Sequence, residues 1–242
     1  MAEARSRIIF AHDKDIFTKE DQARYKSFRR HIGWIKVGLQ AMTHEDRNGV
    51  SAATRLRKWA LAQGFDVMWD MKLDDIPNTT GNAVRNIAAH GSSLITLHAS
   101  AGKPAMAAAA EALAQSGKRA ALLAVTVLTS INKKECVSIF GDSPGPKVVQ
   151  FARDAIAMGV TGLVCSPQEL RALEQADLSH ELMLVVPGVR PAWASAHDQK
   201  RIMTPAQAIR AGADLLVIGR PISEHRNPQE AARLIWEEIE SV

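Results

Sequence analysis

The stretch from Phe65 to Gly81, FDVMWDMKLDDIPNTTG, gathers several side chains that could do chemistry into one short span. It begins as an apolar run, which reads as a buried strand, and ends in Asp70, Lys72 and the pair Asp74 and Asp75. Side chains two apart on a strand share a face, so Asp70 and Lys72 are expected to point the same way. A lysine flanked by aspartates is held protonated, because nearby negative charge favours its charged form. Such a lysine suits proton donation and is poorly suited to Schiff-base chemistry, which needs a neutral amine. A lone lysine in a strand is usually just an ion-pair partner, but this density of charge at one strand end points to a functional site. Pro77 then bars continued strand pairing, and Asn78 or Thr79 is expected to cap a helix running through Ala83 to Ala89. The charges therefore stand at the carboxyl end of a strand, just before the following helix, where parallel α/β proteins place their active sites.

The rest of the chain reads as the scaffold for that stretch. Apolar runs of strand length fall at Ile8–Asp13, Trp34–Gly38, Asp66–Lys72, Leu94–Ala99, Leu122–Leu128, Gly162–Ser166, Leu182–Gly188 and Leu215–Arg220. Helical segments lie between them, including Ala52–Gln63, Lys103–Gln115 and Pro146–Met158, and Gln229–Ser241 follows the last strand. Ser166, Thr204 and Asn227 each precede a proline, with Glu or Gln two further on, which is a helix-start signal. Gly64, Gly91, Gly159 and Gly212 fall where helices should stop. Short apolar strands alternating with helices argue for a parallel sheet covered by helices. Units of this number and length in 242 residues match a closed α/β barrel of the (β/α)8 TIM type, and no linker divides residues 1–242 into separate domains.

In such a barrel the mouth is built from the strand ends. The first strand brings Asp13, the second Lys36, the third Asp70 and Lys72 with Asp75 on its loop, the fourth His98, and the fifth Thr129 and Ser130. The seventh runs into Arg190, and the eighth into Gly219 and Arg220. Glycine lets backbone approach an anion, arginine can bind one bidentately, and barrels often hold phosphate after these strands. Gln199, on the segment between the seventh strand and Thr204, is placed to close over the same anion. His98 reads as a hydrogen-bonded structural histidine, and Cys136 and Cys165 as inert thiols.

Composition narrows the function classes. The apolar fraction of 46% and charged fraction of 23% are ordinary for a globular protein, and no apolar run approaches a membrane span. Two cysteines at unrelated positions give no disulfide framework and suit a reducing cytoplasm. The net charge of +4 is spread along the chain, with no arginine-rich run to suggest nucleic acid.

At these residues the chain resembles orotidine 5'-phosphate decarboxylase, particularly its bacterial form. DMKLDDIPNT matches that family's signature, joined in order by IKVG, LHAS, AVTVLTS, LVCSPQE, PGVRP, DQKRIMTP and VIGRPI. The resemblance implies a homodimeric (β/α)8 barrel that converts orotidine 5'-monophosphate to uridine 5'-monophosphate and carbon dioxide without metal or organic cofactor. It implies that Lys72 donates a proton to the ring carbon, that Asp70 faces the departing carboxylate, and that Lys36 and Asp13 hold the ribose hydroxyls and anchor the charges. It places Asp75 and Thr79 in the neighbouring subunit's site, Thr129 and Ser130 near the pyrimidine, and Arg190, Gln199, Gly219 and Arg220 around the phosphate. His12 and Asp74 depart from the usual residues of the family and flank site positions. A magnesium-dependent sugar-phosphate enzyme of the same superfamily is the nearest rival; by the same resemblance it would carry glutamate where this chain has Lys36.

Overall fold

The computed structural model describes Arg5 and residues 7–194 and 203–242. The chain alternates strand and helix: β1 (Ile8–His12), α1 (Lys19–Phe28), β2 (Trp34–Val37), α2 (Leu39–Thr43), α3 (Ala52–Ala62), β3 (Asp66–Leu73) and α4 (Pro77–Ala89). Then come β4 (Leu94–His98), α5 (Lys103–Gln115), β5 (Ala121–Val125), α6 (Lys133–Phe140), α7 (Pro144–Ala157), β6 (Gly162–Val164) and α8 (Leu170–Gln175). The series closes with β7 (Met183–Pro187), α9 (Pro205–Arg210), β8 (Leu215–Ile218), α10 (Arg220–Ser223) and α11 (Pro228–Glu240). All the strands run parallel in sequence order, and β1 pairs with β8 in the register Ile8↔Leu216, closing the barrel.

Strand alternation splits the core into two layers. Ile8 and Phe10 of β1 face outward into a large cluster with the helices, while Ile9 and Ala11 face inward. Met68, Leu94, Leu123, Val185, Leu215 and Val217 join Ile9 and Ala11 inside the barrel. Gly162 belongs to this interior layer. A Cβ there would stand 2.5 Å from Leu123 Cδ2 and 2.8 Å from the Met183 carbonyl oxygen, so β6 can pass the crowded interior only without a side chain. The next inward positions toward the carboxyl ends are Asp13, Lys36, Asp70, Thr96 and Gly219, so the alternation that packs the interior also aims polar groups into the mouth.

Helix ends follow their caps. Thr18 with Asp21 and Thr204 with Gln207 form reciprocal capping boxes, and the Asn227 side chain accepts the Glu230 N–H. Gly64, Gly91, Gly159 and Gly212 end helices with φ of 73°, 83°, 76° and 98°.

Several boundaries differ from the sequence expectation. The strands stop short of Asp13, Gly38, Leu128, Ser166, Gly188 and Arg220, because the chain there leaves its neighbours to build the mouth. Ser166 caps one 3-10 turn, Pro167–Glu169, before α8 begins. Neither Asn78 nor Thr79 caps α4. Pro77, whose missing N–H suits the first helical position, starts it with Ile76 as the preceding residue, so Asn78 and Thr79 lie within the first turn. Among the described residues no helix is long and apolar enough to cross a membrane.

Candidate active site

The mouth of the barrel holds a row of alternating charges. Asp13 Oδ1 accepts from Lys36 Nζ at 2.9 Å, Lys36 Nζ lies 3.3 Å from Asp70 Oδ2, and Lys72 Nζ donates to the same Asp70 oxygen at 2.8 Å. Lys36 and Asp70 are buried, at 9% and 5% exposure, whereas Asp13 and Lys72 open toward solvent. Buried charges are tolerated only when paired and hydrogen-bonded, and here each buried member has opposite charge on two sides. Burial pulls the Lys36 ammonium toward neutrality, but Asp70 and Asp13 outweigh it and hold its pKa above the ordinary lysine value. Burial likewise pushes the Asp70 carboxyl up, but Lys36 and Lys72, with hydrogen bonds from Lys72 and Thr96, hold it below the ordinary carboxylate range. The row therefore carries fixed charge, with both interior members ionised.

Regular alternation does not deliver Lys72. Between the pairs Trp69↔Ile95 and Leu73↔Leu97, β3 has more residues than β4, so the strand bulges. Lys72 sits in that bulge with φ of 51°, a left-handed conformation that costs an ordinary side chain about 1–3 kcal/mol. Strain of that kind collects at functional sites. Its N–H leaves the strand ladder and donates to Thr96 Oγ1 at 2.9 Å. Thr96 was not singled out from the sequence. The available signal was a polar residue at an inward position of the apolar run LITLH. Gly38 was missed in the same way: a Cβ there would stand 3.1 Å from Lys36 Nζ, so any larger residue would crowd the ammonium.

The row forms one wall of a cavity of about 270 Å³. Its apolar surface comes from Met68, Val125, Val127, Val164 and Val217, and Thr129, Arg190, Gly219 and Arg220 complete the lining, with Gly219 adjoining the Asp13 end of the row. Arg190 and Arg220 also line an adjoining recess with Trp193, Glu224 and His225. A Cβ on Gly219 would stand in ordinary contact with Ala11 and Asp13, 3.4 and 3.5 Å away, so this backbone lies directly beside the Asp13 end of the row. Cys165 is part of the wall too, but burial pushes its thiol up and keeps it unreactive.

Other expected site residues fall elsewhere. Asp75 does not join the charge row of its own chain; it is exposed and accepts the Ile76 N–H at 2.7 Å. Thr79 is exposed on α4. Ser130 is exposed on the turn after β5 and stands outside the cavity wall that Thr129 joins. Gln199 lies outside the described residues. His98 ends β4 opposite Val125 and is half-buried, but its side chain makes no hydrogen bond among the described residues, contrary to the role expected of it; burial lowers its pKa, with Asp74 opposing. Asp74 is exposed and accepts weakly from Ser100 Oγ at 3.4 Å.

His12 points the other way. Like Ile8 and Phe10 it faces the outer layer, where its Nδ1 lies 2.6 Å from the Tyr25 hydroxyl of α1. Burial drives its pKa down to about 4, so it is neutral near pH 7. The unfolded chain binds a proton on this group near pH 6.5 that the folded chain refuses until about pH 4. Stability is therefore full above pH 6.5 and falls as the pH drops toward 4, by about 3 kcal/mol from this group alone. Denaturant titrations across that range should show the fall, and His12→Leu combined with Tyr25→Phe should flatten it. Equal slopes in parent and double variant would show that other groups set the acid response.

A family model described as Orotidine 5'-phosphate decarboxylase / HUMPS family matches residues 11–235, which contain every element of this site. The chain belongs to that family. It is 42% identical over 244 residues to orotidine 5'-phosphate decarboxylase of Geotalea uraniireducens, covering 99% of this chain and 98% of that protein. It is 39% identical over 231 residues to the enzyme of that name from Gloeothece citriformis, covering 94% and 96%. Among solved structures, orotidine 5'-phosphate decarboxylase from Lactobacillus acidophilus superposes with a TM-score of 0.77 at 28% identity, over 96% of this chain and 98% of that one. Membership of the Orotidine 5'-phosphate decarboxylase / HUMPS family accounts for the barrel and for the match over nearly its whole length. Which member's chemistry the chain performs is a question for the site.

Proposed function

We propose that this chain is a carboxy-lyase that converts orotidine 5'-monophosphate to uridine 5'-monophosphate and carbon dioxide in pyrimidine biosynthesis. The observation that carries the reading is the Asp13–Lys36–Asp70–Lys72 row lining one partly apolar cavity together with two arginines, Arg190 and Arg220. Arg190, Arg220 and the open backbone at Gly219 hold the phosphate, with Gln199 as a further contact. Asp13 and Lys36 hold the ribose, and Thr129, with Ser130 beside it, borders the pyrimidine. Asp70 then faces the substrate carboxylate. The carbon–carboxylate bond breaks, its electron pair stays on the ring carbon, and carbon dioxide leaves. The Lys72 ammonium lies beside that carbon, stabilises the developing anion and gives it a proton, forming the new C–H bond.

Charge already in place costs no reorganisation at the moment of reaction. Placing Asp70 against a carboxylate raises the energy of the bound substrate, and the negative charge then moves away from it toward Lys72. Phosphate contacts remote from the reacting carbon supply the binding energy that holds the two carboxylates together. The reaction needs no metal or organic cofactor in this account. Both carboxylates of the row, Asp13 and Asp70, are paired with lysine ammoniums, so a divalent cation would have to displace them. This favours the decarboxylase over the sugar-phosphate member of the superfamily. Purified protein should consume orotidine 5'-monophosphate, followed by its absorbance, with uridine 5'-monophosphate appearing in equal amount. Turnover of a ketose phosphate in its place would overturn the reading.

We further infer a cytoplasmic homodimer in which Asp75 and Thr79 complete the partner's site. Both are exposed beside Ile76, itself 66% exposed, a large apolar side chain that a partner surface would cover. Mixing inactive Lys72→Ala and Asp75→Ala chains tests this. Random exchange should restore roughly a quarter of parental activity, because each mixed dimer regains one intact site. Activity that stays at the level of the separate variants would place Asp75 outside the neighbouring site.

A further inference from the structure

Thr96 connects two things that the site must keep together. Its side chain is wholly buried at an inward position of β4. The Lys72 N–H donates to its Oγ1 at 2.9 Å, and its hydroxyl lies 3.0 Å from Asp70 Oδ1. The direction of both bonds is fixed by chemistry: an amide N–H can only donate and an ionised carboxylate can only accept, so the single hydroxyl proton goes to Asp70. Asp70 Oδ1 is thereby occupied, which leaves Oδ2 to the two ammoniums of Lys36 and Lys72. The same hydroxyl receives the N–H that Lys72 loses from the strand ladder by adopting φ of 51°.

We propose that Thr96 is a positioning residue that ties the left-handed backbone of Lys72 to the carboxylate of Asp70 and so sets where the Lys72 ammonium stands. It need not touch substrate. Without the hydroxyl, the Lys72 N–H loses its partner and the bulge is free to relax toward ordinary strand geometry, which would turn the side chain away from its face. The Asp70 carboxylate would lose the bond that fixes its rotation. Phosphate and ribose contacts come from other strands and stay in place. The inference rests on Lys72 as the proton donor.

Thr96→Val keeps the shape and removes both bonds. With orotidine 5'-monophosphate its kcat should fall more than tenfold, while KM and the Kd for uridine 5'-monophosphate stay within threefold of the parent. Thr96→Ser, which keeps the hydroxyl, should recover kcat to within threefold. A role in packing alone would leave the valine variant active and would give serine no advantage. A tenfold or smaller loss in the valine variant, a KM that rises in step with the loss, or failure of serine to recover the rate overturns the proposal. If Thr96→Val does not fold, Thr96→Ala is read by the same criteria; failure of both to fold would make the role structural and overturn it. Lys72→Ala measured alongside separates the two levels. If that variant stays active, the reading of Lys72 falls; if it is inactive while Thr96→Val is unimpaired, only the role of Thr96 falls.

Discussion

Lys72→Ala should lower kcat roughly 10⁴-fold or more, since it removes a general acid, worth about 10²–10⁴, and a charge facing the developing anion, worth about 10²–10³. A loss of 10⁴ corresponds to about 5 kcal/mol of transition-state stabilisation. The fold should survive, because the Lys72 side chain is 30% exposed and Asp70 keeps Lys36 and Thr96. Affinity for uridine 5'-monophosphate should change little, since the phosphate and ribose contacts proposed above lie on other strands and a proton donor acts mainly in the transition state. Stopped assays of kcat and calorimetry with the product read both quantities. A near-parental rate would remove Lys72 as the donor, and a matched loss of product affinity would make it a binding group.

Asp70→Asn should be nearly as damaging to turnover and worse for the fold. Both ammoniums converge on Asp70 Oδ2, and the neutral amide withdraws the negative charge that they share. Lys36, buried to 9% exposure, is left with Asp13 alone, whose side chain is 58% exposed, so burial regains the upper hand over its charged state. Removing one partner of a buried pair leaves the other uncompensated, at a cost of about 3–5 kcal/mol. The thermal midpoint should therefore drop clearly, and kcat should fall roughly 10³-fold as the anion-stabilising charges lose their anchor. A variant with normal stability would mean that Asp13 suffices for Lys36. A variant with normal kcat would mean that Asp70 does not act on the departing carboxylate.

The order of elements was legible because each strand is a short apolar run and each gap carries a clear helix stop or start. Lys103–Gln115 emerges with the expected bounds. The charges at Asp70 and Lys72 are legible as a pair, but two-residue alternation is not what joins them. A bulge and a left-handed residue bring them together, and neither has a local signature, since the bulge depends on pairing with β4. Thr96 and Gly38 were hidden for a related reason. Their importance comes from what stands beside them in the closed barrel, a carboxylate in one case and an ammonium in the other. His12 adjoined a site residue in sequence, but alternation turned it outward to Tyr25. Asp75 belongs to the signature but stands apart from the charge row of its own chain.

Metal-free decarboxylation by fixed charge is the centre of the account, and one measurement bears on it most directly. Protein stripped with EDTA should consume orotidine 5'-monophosphate at the same rate as untreated protein, and added magnesium should change nothing. Loss of the rate on chelation, with recovery on adding magnesium, would contradict the account, because a cation would then be doing the work assigned to Lys36 and Lys72.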